Sequence, residues 1–220
     1  AMGAQDVFLT GNPQITFFKV VYRRHTNFSK ECIKQEFNGN PGLDKTITCT
    51  LARNGDLVHR MYIQTDITST VGSNGDANAP KVMEIVNAGH AILKEVTVEI
   101  GGQRIDKHYS RWLDIWNELT LPQSKVTGVD EMINATLASG DLNVGTPDKV
   151  QAAKTVYVPL QFWFCRNPGL ALPLIALQYH EVKVNLTTRP LNDLATVNTG
   201  QTLGTGSLGC KLYVDYVYLD

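Results

Sequence analysis

Val96-Thr97-Val98-Glu99-Ile100-Gly101-Gly102-Gln103-Arg104-Ile105-Asp106-Lys107-His108-Tyr109 is the stretch whose reading decides the fold. Val96, Val98 and Ile100 share one face of an extended chain, and Thr97 and Glu99 take the other, because successive side chains of a strand point to opposite faces. Gly101-Gly102 then supplies the backbone freedom of a tight turn, so 103–109 reads as the returning strand of a hairpin. From Tyr109 the rhythm changes. Tyr109, Trp112, Leu113, Ile115, Trp116 and Leu119 recur at spacings of three and four, which predicts a helix that Pro122 ends.

Working outward, the period of two dominates. Over 31–37, Cys32, Lys34 and Glu36 alternate with Ile33, Gln35 and Phe37, and Asn38-Gly39-Asn40-Pro41-Gly42 breaks the run. Residues 46–51 are β-rich, and Asn54-Gly55-Asp56 predicts a hairpin into a strand over 57–67. Residues 156–164, 179–186 and 211–219 are further strand candidates. Six to eight short strands separated by turn signals argue for a sandwich or barrel. Residues 69–80, 125–153 and 192–209 read as long loops, the second with a short helix over 130–137, and loops of that length carry function or contacts. There is no internal repeat.

The 220 residues suffice for one domain with a sizeable core. Charged residues make up only 19% of the chain, against about 25% for an average soluble domain. A surface short of charge hints at partners. The net charge of −1 argues against general affinity for nucleic acid or membrane surfaces. Cys32, Cys49, Cys165 and Cys210 form no C-x-x-C pair, so they read as reduced thiols rather than a zinc or redox motif. No apolar run approaches a membrane span, no signal peptide is visible, and Ala1-Met2 reads as a cloning scar ahead of a single domain over 3–220.

Three blocks carry a family resemblance. Leu9-Thr10-Gly11-Asn12-Pro13-Gln14-Ile15-Thr16-Phe17-Phe18-Lys19-Val20-Val21-Tyr22-Arg23-Arg24-His25-Thr26-Asn27-Phe28-Ser29 closely resembles the opening of the major capsid proteins of nucleocytoplasmic large DNA viruses. Val158-Pro159-Leu160-Gln161-Phe162-Trp163-Phe164, with the segment from Arg166 to Val182, is similar to two further family hallmarks. The stretch from Tyr213 to Asp220 resembles the strand closing the family's first jelly roll. Together these blocks span essentially the whole chain.

The resemblance implies an all-β, eight-stranded antiparallel jelly-roll sandwich with one or two short helices in the loops. It implies the N-terminal half of a double-jelly-roll protein, with the family's N-terminal arm and second jelly roll absent from 3–220. It implies a structural, non-catalytic role: a capsid protein that packs as part of a pseudo-hexagonal trimeric capsomer in the icosahedral shell. The partners it implies are copies of the chain, neighbouring capsomers and minor capsid proteins, with no specific nucleic acid and no membrane insertion. The expected location is the virion, after synthesis and assembly in the host cytoplasm, and no cofactor or metal is expected.

In a jelly roll, Phe162, Phe164, Leu174, Ile175, Val182 and Val184 suit the core between the sheets. Residues 170–177 are apolar at nearly every position, with Pro168, Gly169 and Pro173 forbidding a regular helix. They read as a buried connection or as surface covered by a neighbouring subunit. The candidate assembly interface is therefore Ile15, Phe17, Phe18, Arg23, Arg24, Leu170, Leu172 and Leu174. Arg23 and Arg24, with His25 and Lys30, form the only basic cluster and suit ion pairs across such an interface.

Other motifs are weaker. Gly204-Thr205-Gly206-Ser207-Leu208-Gly209 fits G-x-G-x-x-G, but a strand, not a helix, follows it. His180-Glu181 lacks a second histidine at metal spacing, and the remaining histidines are scattered. Asn27, Asn134 and Asn185 open N-x-[ST] triplets, of which Asn134 alone falls in a predicted loop. A carbohydrate-binding jelly roll of lectin type is the alternative reading, since jelly rolls serve both roles. It needs exposed aromatic side chains near Asp, Asn or calcium. A cupin-type enzyme needs a histidine cluster that the sequence lacks.

Overall fold

Two antiparallel sheets pack face to face, and nearly every connection crosses from one to the other. The computed structural model describes residues 26–69, 83–84, 87–134, 154–196 and 206–220. In chain order these form β1 (Phe28–Glu36), β2 (Thr46–Thr50), β3 (Leu57–Ser69), β4 (Met83–Glu84), α1 (Ala88–Ile92), β5 (Leu93–Ile100) and β6 (Gln103–Tyr109). Then come α2 (Ser110–Thr120), α3 (Gln123–Ile133), β7 (Lys154–Pro159), α4 (Trp163–Arg166), β8 (Leu172–Pro173), β9 (Val182–Thr188), β10 (Ala195–Thr196) and β11 (Gly206–Leu219). Pro168–Leu170 and Leu174–Leu177 are 3-10 turns on either side of β8.

The first sheet runs β1-β11-β3-β7, with β8 adding two residues beside β3; the second runs β2-β9-β5-β6. Among the eight long strands, only β5 and β6 are neighbours both in sequence and in a sheet. That order is the jelly roll, two Greek keys folded over each other. It follows from the alternation of side chains. In β9 every second residue is buried, from Val182 through Val184 and Leu186 to Thr188. In β11 Leu208, Cys210, Leu212, Val214 and Tyr216 do the same. Each sheet thus has one apolar face that only the other can cover. Phe162, Phe164, Val182, Val184 and Leu174 belong to this core, as the sequence predicts.

Four sequence expectations need correction. Asn54-Gly55-Asp56 makes no hairpin, because β2 pairs with β9 and β3 with β11. Residues 51–56 instead carry the chain across the sandwich: Leu51 N–H donates to the Val182 carbonyl at 2.9 Å and Asp56 N–H to that of Val217 at 3.0 Å. The Tyr216 hydroxyl donates to the Ala52 carbonyl at 2.6 Å. Gly55 fits closely there: a Cβ would stand 3.0 Å from Tyr216 Cβ. The strand expected over 156–164 ends at Pro159, and Trp163–Arg166 is a helical turn. The helix expected over 130–137 begins earlier, at Gln123 directly after Pro122, and ends at Ile133, where Asn134 adopts a positive φ of 55°. Ile175 is not core but 62% exposed.

The hairpin between β5 and β6 forms as expected, with Gly101 and Gly102 at positive φ of 61° and 83°. The helix expected from Tyr109 starts at Ser110. It is tied to α1 through the buried His90, whose Nδ1 contacts Asp114 Oδ1.

Candidate assembly surface

The segment from Asn167 to Glu181 gathers the residues that the sequence singles out near the second half of the chain. It is a connection with little regular structure, yet its backbone is held at many points. Asn167 Oδ1 accepts from Gly169 N–H at 2.9 Å, which starts the first 3-10 turn. Leu172 and Pro173 pair with Val58 and Leu57 of β3, and Leu174 N–H donates to the Asp56 carbonyl at 2.9 Å. Arg53 spans the far side. Its Nη2 donates to the carbonyls of Leu177 at 2.6 Å and His180 at 3.1 Å, and its Nη1 donates to that of Gln178. The β5–β6 turn closes against the same place: Gly101 N–H donates to the Glu181 carbonyl, and a Cβ on Gly101 would stand 2.7 Å from His180 Nδ1.

This scaffold sorts the apolar side chains. Leu172 and Leu174 turn inward and are buried, so the expectation that they form assembly surface fails. The reason is local: pairing of 172–173 with β3 and the turn after Pro173 bring both side chains into the core cluster. Leu170, Ile175 and Tyr179 turn outward, Tyr179 almost completely. The same end of the sandwich carries Phe28 and Leu219, register partners in β1 and β11 and both exposed. Ile15, Phe17, Phe18, Arg23 and Arg24 lie outside the described residues.

A second apolar area lies on α2. Trp112, Ile115, Trp116 and Leu119 fall at i, i+3, i+4 and i+7, one continuous stripe. Its outer edge is exposed, Ile115 by half and Leu119 largely, whereas Trp112 and Trp116 are half-buried and Leu113 on the neighbouring row is buried. Trp112 and Trp116 have ring centroids 5.7 Å apart, and the Arg166 guanidinium lies 4.5 Å from the Trp116 centroid. Two tryptophans on one helical face suggest core packing or else a partner contact, and the half-buried Trp112 and Trp116 lie between the two.

The outer face of the β2-β9-β5-β6 sheet forms a shallow groove of about 520 Å³ lined by Thr46, Thr48, Glu95, Thr97, Glu99, Arg104, Lys183, Asn185 and Thr187. Its lining includes no aromatic side chain, which a sugar-stacking site of the lectin kind requires. Among the described residues, no group of three His, Cys, Asp or Glu side chains is arranged to hold a metal ion. No helix among them is long and apolar enough to cross a membrane. Cys49, Cys165 and Cys210 are buried free thiols, the latter two pushed up to about 12 mainly by burial; Cys32 is exposed. None is a poised nucleophile.

A jelly roll without a reaction centre among its described residues, bearing outward apolar side chains on a braced segment, fits proteins that act through contacts. The family comparison agrees. The model for "Major capsid protein N-terminus" matches residues 16–220. The chain belongs to the major capsid protein family. It is 54% identical over its whole length to the major capsid protein of Pyramimonas orientalis virus, covering 52% of that protein. It is 41% identical to that of Paramecium bursaria Chlorella virus 1, again over 100% of the chain and 46% of the relative. The chain therefore spans about half the length of the curated relatives it matches. Among solved structures, a quasi-atomic PBCV-1 virus capsid superposes with a TM-score of 0.71 at 36% identity, covering 93% of this chain and 46% of that one. The Faustovirus major capsid protein superposes with a TM-score of 0.67 at 14% identity, covering 99% of this chain and 58% of that one, which speaks to the fold.

Proposed function

We propose that this chain is the first jelly roll of a double-jelly-roll capsid protein and builds the icosahedral shell of a large DNA virus without catalysing a reaction. The observation that carries the reading is the match to capsid proteins along the entire chain, at identities of up to 54% among the relatives compared. The geometry supports it, because Leu170, Ile175 and Tyr179 are presented outward from a segment whose backbone is pinned by Arg53, β3 and the β5–β6 turn. A preorganised apolar surface loses little conformational freedom on association.

In this reading the working unit is a trimer of the longer protein with a pseudo-hexagonal outline. Its partners are sister subunits, neighbouring capsomers and minor capsid proteins, and its place is the virion, after assembly in the host cytoplasm. Quantitative mass spectrometry of purified particles tests it. Peptides from 26–220 should rank among the most abundant in the particle. Their absence from particles, with abundance in the infected-cell lysate, would contradict the reading.

A further inference from the structure

Helices α2 and α4 meet through Arg166, which stacks on Trp112 and Trp116. Trp163 of α4 completes the cluster, edge-on to Phe164 at 4.9 Å, so all three tryptophans of the chain lie here. Beneath them stands His108 of β6, buried, with its ring 4.3 Å from that of Phe162. Its Nε2 is buried and has no hydrogen-bond partner among the described residues. Buried polar groups are almost always paired, so an orphan of this kind calls for an explanation.

The surroundings give His108 no means of holding a positive charge. On β6 itself, Asp106 turns its Oδ1 to the Lys107 N–H at 2.7 Å. From β5, Glu95 pairs with Lys107 Nζ at 2.7 Å and Glu99 lines the outer groove. From α2, Asp114 is taken by Asn87 and by the other buried histidine, His90, while Arg111 is exposed. From β3, His59 donates through Nδ1 to the Phe164 carbonyl at 2.8 Å. Helix α4 brings Cys165, a neutral thiol pushed up to about 12 mainly by burial, and the cation Arg166. Burial and that guanidinium push His108 down to about 4. The part able to give way is α4. It is a single turn, and among the described residues no backbone hydrogen bond joins 163–166 to either sheet.

We propose that His108 is an acid-operated latch: when its ring takes up a proton, α4 with Arg166 lets go of β6 and of the α2 tryptophans while both sheets stay folded. A buried imidazolium beside a guanidinium has neither water nor a counter-charge, and moving α4 away supplies the water and removes the like charge. Histidine protonation biases local equilibria of this kind. With α4 open the ring takes its proton near 6.5, and with α4 closed only near 4, so opening gains on the order of a hundredfold between about pH 7 and about pH 4.

The test follows tryptophan emission and far-ultraviolet circular dichroism together as the 220-residue chain is taken from about pH 7.5 to about pH 3.5. Because every tryptophan lies in the cluster, emission reads the latch and dichroism reads the sheets. The expected result is a reversible emission step that runs ahead of any loss of dichroism. His108→Phe should abolish the step. Arg166→Gln takes away the like charge and should reduce the acid-driven gain in opening by about twofold or more; this variant decides the matter if His108→Phe folds poorly. Emission and dichroism lost in one common transition overturn the proposal, because the helix then opens only with the whole domain. So does an emission step that survives His108→Phe, and so does a pH dependence that Arg166→Gln leaves unchanged.

Discussion

Residues 170–177 and helix α2 both carry apolar side chains of which only some enter the core, and the two are sorted in different ways. In the first, Leu172 and Leu174 are core, while Leu170, Pro173, Ile175 and Ala176 remain outside. In α2 Leu113 and Ser110 are buried and Trp112 and Trp116 half-buried, while Ile115 and Leu119 on the same stripe are exposed. The difference lies in what holds the backbone. Residues 170–177 are paired to β3 and clamped by Arg53, so register dictates which side chains enter the core. Helix α2 satisfies its own backbone hydrogen bonds, so its orientation is set by a few tethers. They include the contacts of His90 and Asn87 with Asp114, the hydrogen bond from Arg189 Nη2 to Ser110 Oγ and the burial of Leu113. Apolar content says that a segment has a surface to cover; the hydrogen-bond pattern decides whether the domain covers it itself.

The contrast can be broken from its core side first. Phe164 is fully buried, stacked on Phe162 and edge-on to Trp163. Phe164→Ala should cost about 3–5 kcal/mol, seen as a large fall in the denaturant midpoint at unchanged slope.

Acid should act next. The buried His108 lies 4.3 Å from Phe162, its Nε2 has no hydrogen-bond partner among the described residues, and burial with the nearby Arg166 pushes it down to about 4. The folded state thus resists protonation that the unfolded chain accepts near 6.5. Stability should be constant above that value and fall by about 3 kcal/mol as the pH drops from about 6.5 to about 4. His108→Phe should remove this component of the acid sensitivity, as measured by melts across the pH range. An unchanged pH profile in that variant would show that His108 is not its source.

Smaller effects sharpen the comparison. Tyr216→Phe removes the hydrogen bond that the buried Tyr216 hydroxyl donates to the Ala52 carbonyl and should cost about 1 kcal/mol, the net worth of one such bond. Ile175→Asp should change the melting point least, within about 0.5 kcal/mol, since the side chain is already in water.

Much of the fold was legible in the sequence. Period-two alternation placed β1 and β5, and Gly101-Gly102 marked the β5–β6 hairpin; β9 and β11 read as strands over 179–186 and 211–219, whereas they run from Val182 to Thr188 and from Gly206 to Leu219. Asn54-Gly55-Asp56 misled because a tight turn is compatible with both a hairpin and a corner between sheets. Only the long-range partners of 51–56, Val182 and Val217, distinguish the two. Trp163–Arg166 misled because a short apolar run has no period of its own. For the assembly surface, the sequence located residues 170–177 but could not assign inside and outside, which pairing with β3 determines. It named Trp112 and Trp116 as a helical stripe, but their half-buried position and the stacking of Arg166 against them depend on contacts between α2 and α4 that no local pattern encodes.

The central claim is that outward apolar side chains on a braced jelly roll build a shell. The most direct test is the solution mass of the chain extended to the full length of its relatives, by light scattering across a concentration series, with and without Ile175→Asp and Leu170→Asp. The account predicts a trimer for the parent and dissociation toward monomer in the double variant, with the fold intact. A parent that is monomeric at every concentration, or a trimer indifferent to both substitutions, would contradict it.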